Sequence, residues 1–512
     1  MFPKMVQVPG KQTAPLGEPK SGVGISVKLK VFLSFAILLS AAAADATADT
    51  KPVDSTQLAA WLTAGISSIR LVHLVQERGL THVLAKPELA QLQAAGAEKN
   101  LIGALSTAKA PTSPGPYPAV PAILLKAAAA ARQQHYHKAE LLLRAVLQSD
   151  PQNAALHFAL GAMLRQQEQW DDAFDEVTES ARLMPDFPEN HISFAYIFYR
   201  LDDGPNAIAE ARTALSMDPK NPEAYQILGL ALYSNGQYAA AVHSFEESLA
   251  RDPENADTYY DMGIALHADG NLPGALAAYH KAIGLRPAFW EAHSNLALTL
   301  HEQGKLQEAL LEYLAAKRLA PEEPSVRNNL GNTLCDLGEY DAAIGEMQDL
   351  YRRHPEWQQG HGCLASAYMA KKNYEDAVAE LRLALQQNPT GATEHRVLGQ
   401  ALLLDNKLEA ALREFRLAVS LNPDSDVSHH YLGTALFQQQ QLQAAEKEFR
   451  EALRLNPSAD NHYSLAACLT TMDRYEEALS ELELASRLDP EQTLYRARRD
   501  ELIKLMKSPN AH

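Results

Sequence analysis

The sequence predicts an all-α chain: a solenoid of helix-turn-helix repeats, with a small helical module before it and a capping helix after it. Three observations carry this. Prolines at 151, 185, 219, 253, 287, 321, 355, 389, 423, 457 and 490 stand 34 residues apart, with 33 at the last interval. An alanine lies twelve residues before each proline, from Ala139 to Ala478. The composition is helix-favouring, only 7% aromatic and rich in alanine and leucine. A repeat of this period marks a stacked array in which no unit buries its apolar face alone.

The elements of a unit follow in order. Its first helix carries an apolar residue and then a small one, twelve residues before the alanine, as in Leu160-Gly161, Leu228-Gly229, Met262-Gly263, Leu330-Gly331, Leu398-Gly399 and Leu432-Gly433. Small residues at these two positions let the paired helix axes approach, and larger side chains would hold them apart. Polar turns such as Ser234-Asn235-Gly236 and His267-Ala268-Asp269-Gly270 join the first helix to the second. The second helix stops at the proline, which has no N–H and disfavours helical geometry in the residue before it. The residue missing from the last interval falls between Pro457 and Leu465, in an inter-repeat turn.

Tyr259, Gly263, Ala275, Tyr279, Ala282 and Pro287 in one unit, and Tyr225, Leu228, Gly229, Ala241, Phe245 and Pro253 in another, resemble the tetratricopeptide repeat family. The resemblance covers about residues 120–490, eleven units, and Phe194-Ala195 and Arg327 depart from its usual residues. It implies a right-handed superhelix whose first helices line a concave groove, and a non-catalytic scaffold that binds proteins or extended peptides. The family geometry places groove-facing side chains at fixed offsets from the small residue. Those slots hold Tyr196, Tyr199, Tyr233, Tyr260, Asn295, Asn328, Asn329, Asn332, Tyr431 and Phe437, together with His267 and His301. An asparagine amide both donates to and accepts from an extended backbone, and Asn295 and Asn329 stand one repeat apart. The tyrosines offer amphipathic anchor pockets, or else Tyr199 and Tyr233 pack between repeats. Arg165, Arg200 and Arg396 occupy groove slots in separated repeats, which argues against the family's carboxylate-clamping mode.

The flanks complete the domain order. Lys28-Leu29-Lys30, an apolar run over 31–39 and small residues over 41–46 have the order of a signal peptide, too short for a comfortable membrane span. A leader over 1–46, cleaved after Ala44 or Ala46, predicts a bacterial periplasmic or secreted protein with no stable span after cleavage. Initiation at Val27 would shorten its long basic region; an uncleaved segment would leave a cytoplasmic adaptor instead. Residues 47–109 form a helical module with Leu58, Trp61, Leu62, Ile66, Leu71, Leu74, Val75, Leu89, Leu92, Leu101, Ile102 and Leu105 as apolar positions. It looks like a small module that precedes repeat arrays in some bacterial proteins. Residues 110–119 are a proline-rich linker and a domain boundary. The units span 120–490, and 491–512 is a capping helix and tail, with Leu494, Leu502 and Leu505 turned to the last unit and Arg496, Arg498, Arg499 and Lys504 turned to water.

Chemistry-bearing motifs are missing from the sequence, so no catalytic, cofactor or metal site is expected. An enzyme hidden in the helical stretch from Ser55 to Lys109 is the alternative, but so small a body gives little room for a cleft. His135 with His137, and His429 with His430, point to different helix faces and read as solvated positions. Cys335, Cys363 and Cys468 are too few and scattered for a disulfide framework and read as small buried hydrophobes, with an intermolecular bridge as the lesser alternative. A net charge of -17 argues against a nucleic-acid partner. Oligomeric state is open.

Overall fold

The structure, a computed structural model, describes residues 51–108, 110 and 120–507; the leader, most of the linker and the tail from 508 lie outside the described residues. Among the described residues there are twenty-seven α-helices and no strand, beyond one isolated bridge between Val53 and Leu80. The chain divides between Ala292 and His293 into two compact units.

The first unit opens with the module, α1 (Ser55–Ala64), α2 (Ser68–Arg78), α3 (Lys86–Ala95) and α4 (Lys99–Thr107). Five helix pairs follow: α5 (Ala122–Arg132) with α6 (Tyr136–Leu147), α7 (Ala154–Gln166) with α8 (Trp170–Leu183), α9 (Pro188–Arg200) with α10 (Gly204–Met217), α11 (Pro222–Ser234) with α12 (Tyr238–Leu249), and α13 (Ala256–Ala268) with α14 (Leu272–Leu285). The division falls inside α15 (Trp290–Glu302), which pairs with α16 (Leu306–Leu319). The second unit continues with α17 (Pro324–Asp336) and α18 (Tyr340–Arg353), α19 (His361–Ala370) and α20 (Tyr374–Gln387), α21 (Ala392–Leu404) and α22 (Leu408–Leu421), α23 (Asp426–Gln438) and α24 (Leu442–Leu455), α25 (Ala459–Thr471) and α26 (Tyr475–Leu488), and last α27 (Thr493–Met506). The pairs are numbered below as repeats one to eleven.

Each hairpin is held at the small residue. A Cβ placed on Gly229 would lie 2.5 Å from the Phe245 ring, on Gly263 2.5 Å from Tyr279, on Gly399 2.6 Å from Phe415 and on Gly433 2.8 Å from Phe449. The glycine therefore receives a bulky side chain from the second helix of its own repeat, and the two axes close on that contact. The turn between the helices carries one left-handed residue at a constant register. It is glycine at 236, 270, 304 and 338, and Gln134, Glu168, Asp202, Lys372, Asn406, Gln440 and Asp473 take φ between 58° and 65° at the equivalent places. Between α24 and α25 only residues 456–458 connect the repeats, which is where the 33-residue interval loses its residue.

A second pin repeats along the chain. In seven repeats a histidine on the first helix meets a glutamate nineteen residues later on the second, at 2.5 to 2.7 Å: His157–Glu176, His191–Glu210, His293–Glu312, His361–Glu380, His395–Glu414, His429–Glu448 and His462–Glu481. In repeats that include two, nine and ten the other ring nitrogen faces the carbonyl of the preceding repeat's closing proline, as in His157 with Pro151, His395 with Pro389 and His429 with Pro423. The His157 ring is lifted above the usual histidine range even though burial lowers it, because Glu176 and the Pro151 carbonyl both favour the protonated ring. That contribution is complete below the unfolded histidine pKa and is lost as pH rises through the folded one. His429 is thus not a solvated position: it is 7% exposed and bonded on both sides, because the slot lies between the two helices of a repeat. His430 bonds Asn461 of the next repeat at 2.9 Å, while His135 and His137 are exposed. Arg327, a departure from the family residue, takes the histidine's place and reaches Glu346 at 2.8 Å and Asp349 at 2.9 Å.

Three further readings change. Cys335 and Cys363, expected as unpaired buried thiols, form an intramolecular disulfide with Cα atoms 6.2 Å apart. Their separation of 28 residues looks scattered along the chain, but stacking brings the end of one first helix beside the start of the next. Cys468 alone is a free, buried cysteine. In α27, Leu494 and Leu505 are 44% and 45% exposed; Tyr495 and Leu502 make the buried seam, and the Tyr495 hydroxyl donates to Asp460. The seven-residue spacing of Tyr495 and Leu502 keeps both on one face, whereas Leu494 is turned a hundred degrees away.

A Gly263→Val variant places two methyls against the Tyr279 ring. Chemical denaturation of the full chain should show a loss of about 1–3 kcal/mol, whereas a surface Gly284→Ala control, where nothing lies within 4 Å, should not.

Candidate functional site

The candidate side chains all lie on the first helices of the repeats, and the module packs on the first helices of repeats one and two. Helix α1 packs on α5 and α7, and α7 is buried from Ala154 to Leu164. Trp61 stacks on Phe187 with ring centres 4.9 Å apart. Arg70 of α2 meets Glu189 at 2.5 Å and Asp218 at 2.6 Å, and Asn221 donates to the same glutamate. The Arg70 guanidinium is raised further above its usual value by Glu189 and Asp218, which outweigh its desolvation. Arg78 bonds the carbonyl of Asp186 at 2.8 Å. The linker marks a boundary in the sequence, yet the module and the repeats behind it share one continuous core.

Beyond the module the first helices of this unit carry half-buried and exposed side chains. Tyr196 and Tyr233 are half-buried there, Arg165 lies over the Tyr196 ring at 5.2 Å, and Arg200 lies over Trp170 at 4.8 Å. The Glu223 carboxyl is lifted above the usual range by desolvation, against the pull of Arg165 and with the nearby Glu189 carboxylate adding to the rise. Asp261 is 7% exposed and accepts from Gln226 at 3.0 Å; burial pushes it up to about 7, with the Gln226 bond opposing. Tyr199 and Tyr260 are buried, Tyr260 against Phe289 at 4.8 Å, and burial raises the Tyr199 phenol.

In the second unit the asparagines turn inward. Asn295 is 1% exposed and Asn329 4%, and Asn328 spends an amide hydrogen on Asn329 at 3.2 Å. Asn332, Tyr431 and Phe437 stay half-buried, and Tyr431 stacks on Phe415 at 5.8 Å. Phe437 forms one wall of a cavity of about 300 Å³ with Tyr463, Ala467, Thr470 and, from α27, Leu502 and Leu505. Thr470 holds in repeat eleven the slot that Phe437 holds in repeat ten, and both line the cavity. Among the described residues no group of three or more His, Cys, Asp or Glu side chains is placed to hold a metal ion.

Of the ten candidate residues, then, Tyr196, Tyr233, Asn332, Tyr431 and Phe437 are half-buried, and Tyr199, Tyr260, Asn295, Asn328 and Asn329 are buried. The slot alone does not separate the two groups: Asn295, Asn329 and Tyr431 all stand two places before the small residue, and Tyr199, Tyr233 and Phe437 all stand four places after it. The acidic row Glu189, Glu223, Asp257 and Glu291 was not among the candidates, although its 34-residue recurrence six places before the small residue was there to be read.

The Asp261 carboxyl ionises at about 4 when unfolded and near 7 when folded, so stability falls as pH rises from about 4 through 7 and then levels off. Thermal melts should show Asp261→Asn more stable than the parent at pH 8 by about 1–2 kcal/mol, with the difference shrinking towards pH 4.

The model of the family described as tetratricopeptide repeat matches residues 124–187, 193–256, 228–288, 260–324, 328–392 and 364–426, together more than half of the chain. Residues 405–485 match the family described as anaphase-promoting complex, cyclosome, subunit 3. No curated protein matches the sequence. Among solved structures, the chain is similar to MamA 41-end from Desulfovibrio magneticus RS-1 (21% identity, TM-score 0.32, 33% of this chain and 95% of that one). It is also similar to yeast Tom70 (16%, 0.33, 75% and 93%) and to a tetratricopeptide repeat protein from Parabacteroides merdae ATCC 43184 (18%, 0.39, 48% and 98%).

Proposed function

This chain belongs to the tetratricopeptide repeat family, and on that premise we propose that it is an exported, non-catalytic scaffold that binds extended segments of partner proteins along its first helices. A protein-interaction scaffold is what the family supports in general; the peptide mode and the compartment are our reading.

The observation that carries the peptide mode is the module. The chain packs a helical segment of its own on the second and third repeats, with an aromatic stack at Trp61–Phe187 and a guanidinium on Glu189, which supports the reading that this array accepts other chain segments. Past that segment the first helices of the same unit carry half-buried Tyr196 and Tyr233, and in the second unit, taken by itself, the first helices carry half-buried Tyr431 and Phe437. Aromatic side chains that are rigid and partly wet are the type that anchors a partner.

Export is supported by the leader-like order of residues 28–46 and by the Cys335–Cys363 disulfide, since disulfides persist in oxidising compartments. Among the described residues no helix is long and apolar enough to cross a membrane. The net charge of -17 weighs against nucleic acid as partner.

Crosslinking pull-downs from periplasmic and secreted fractions, comparing the parent with Tyr233→Ala/Phe437→Ala, test both parts of the reading. We expect a partner captured by the parent to fall about tenfold or more in the variant, from a mature chain beginning near Asp45 or Thr47. Undiminished capture would refute the groove, and an intact leader on a cytoplasmic protein would refute export.

A further inference from the structure

The disulfide sits at an unusual place in the stack. Elsewhere in the second unit, the closing residue of one repeat and the first helix of the next are separated by three or four residues; between repeats seven and eight the connection runs from His354 to Gly360. Gly360 takes φ 95°, and α19 is only ten residues long, so the first turn found on the other first helices is unwound. The buried apolar cluster of this seam is small, Met347, Leu350 and Leu364, separate from the larger core that begins at Ala365. Trp357 Nε1 and Asn328 Oδ1 are buried here with no hydrogen-bond partner among the described residues. The seam is thus the place in this unit where packing does least to hold neighbours together.

Cys335 and Cys363 span that seam. Cys335 lies four places after Gly331 and Cys363 two places before Ala365, slots that the groove reading turns inward, and both residues are half-buried and within reach of solvent. The surroundings also suit the reduced pair. Cys335 Sγ is 3.3 Å from the Cys363 carbonyl, and Cys363 Sγ is 3.4 Å from the Gly331 carbonyl, so each thiol has an acceptor waiting. Reduction therefore leaves no buried donor stranded, while removing a crosslink that closes a long loop.

We propose that Cys335–Cys363 is a reversible thiol–disulfide modification site that locks the seam between repeats seven and eight when oxidised and frees it when reduced. The reductant is a dithiol. One of its thiolates attacks one sulfur of the bridge, the S–S bond breaks, and the departing cysteine thiolate takes a proton. The second thiolate of the reductant attacks the mixed disulfide and releases the other cysteine, so two electrons and two protons pass to the protein and the dithiol leaves as a disulfide. Because the groove reading turns both slots inward, the redox state sets the spacing of the groove slots on either side. Only that last consequence rests on the groove reading.

The test uses the full chain without any partner, so a negative result leaves the groove reading standing. Native alkylation counts thiols before and after dithiothreitol, and limited trypsinolysis follows cleavage after Arg352, Arg353, Lys371 and Lys372, which flank the seam. We expect two additional labelled thiols after reduction, and cleavage at those four sites faster by about tenfold with the remaining pattern unchanged. Cys335→Ser/Cys363→Ser should show the fast pattern without reductant and no response to it, and Cys468→Ser should behave as the parent. Free thiols at 335 and 363 in the oxidised protein, a bridge that native dithiol leaves intact, cleavage that ignores reduction, or cleavage that rises across the whole chain would each overturn the proposal.

Discussion

The close approach of two helices at one small residue is the contact on which the rest of this structure depends. Where Gly229, Gly263, Gly399 and Gly433 stand, the partner helix delivers Phe245, Tyr279, Phe415 and Phe449 to a distance no Cβ allows. That contact fixes the hairpin, and the hairpin fixes which residues of the first helix are left facing inward. Any side chain offered to a partner is therefore positioned by a glycine or alanine that never touches it. Stability follows the same logic, because a repeat exposes its apolar face unless its neighbours cover it.

The histidine–glutamate pins add direction to this packing. An apolar contact tolerates sliding, but a bond of 2.5 to 2.7 Å between a first-helix histidine and a second-helix glutamate does not. In repeats two, nine and ten the same ring also holds the loop that closes the previous repeat. Repeats four and five place Tyr225 and Tyr259 at that slot, and repeat seven uses Arg327. The array thus keeps one geometry with three chemistries, and the polar version ties part of its cohesion to pH, most plainly at His157.

Much of this was legible in the sequence, for a physical reason: a 34-residue period repeats the same constraint eleven times, so single departures such as Arg327 do not hide it. The helix boundaries, the turn glycines and the closing prolines follow from local rules that need no knowledge of neighbours. What the sequence did not convey are contacts between residues far apart in the register. Arg70 and Glu189 are 119 residues apart, and no local pattern announces that the module would lie on the repeats. Cys335 and Cys363 belong to different repeats and different slots, so their spacing matches no period. Asn295 and Asn329 are buried although Tyr431, in the same slot two places before the small residue, is half-buried, so the slot does not fix exposure. The histidine pins were readable, since each glutamate follows its histidine by nineteen residues, but only once the period is used to align polar residues as well as apolar ones.

The central claim is that partners bind on the first helices rather than on the outer second helices. Hydrogen exchange of the full chain, free and with a captured partner bound, tests it most directly. The account predicts slowed exchange in Pro222–Ser234 or Asp426–Gln438, with the second helices Tyr238–Leu249 and Leu442–Leu455 unchanged. Protection confined to the second helices would contradict it, and would place the working surface on the outside of the array.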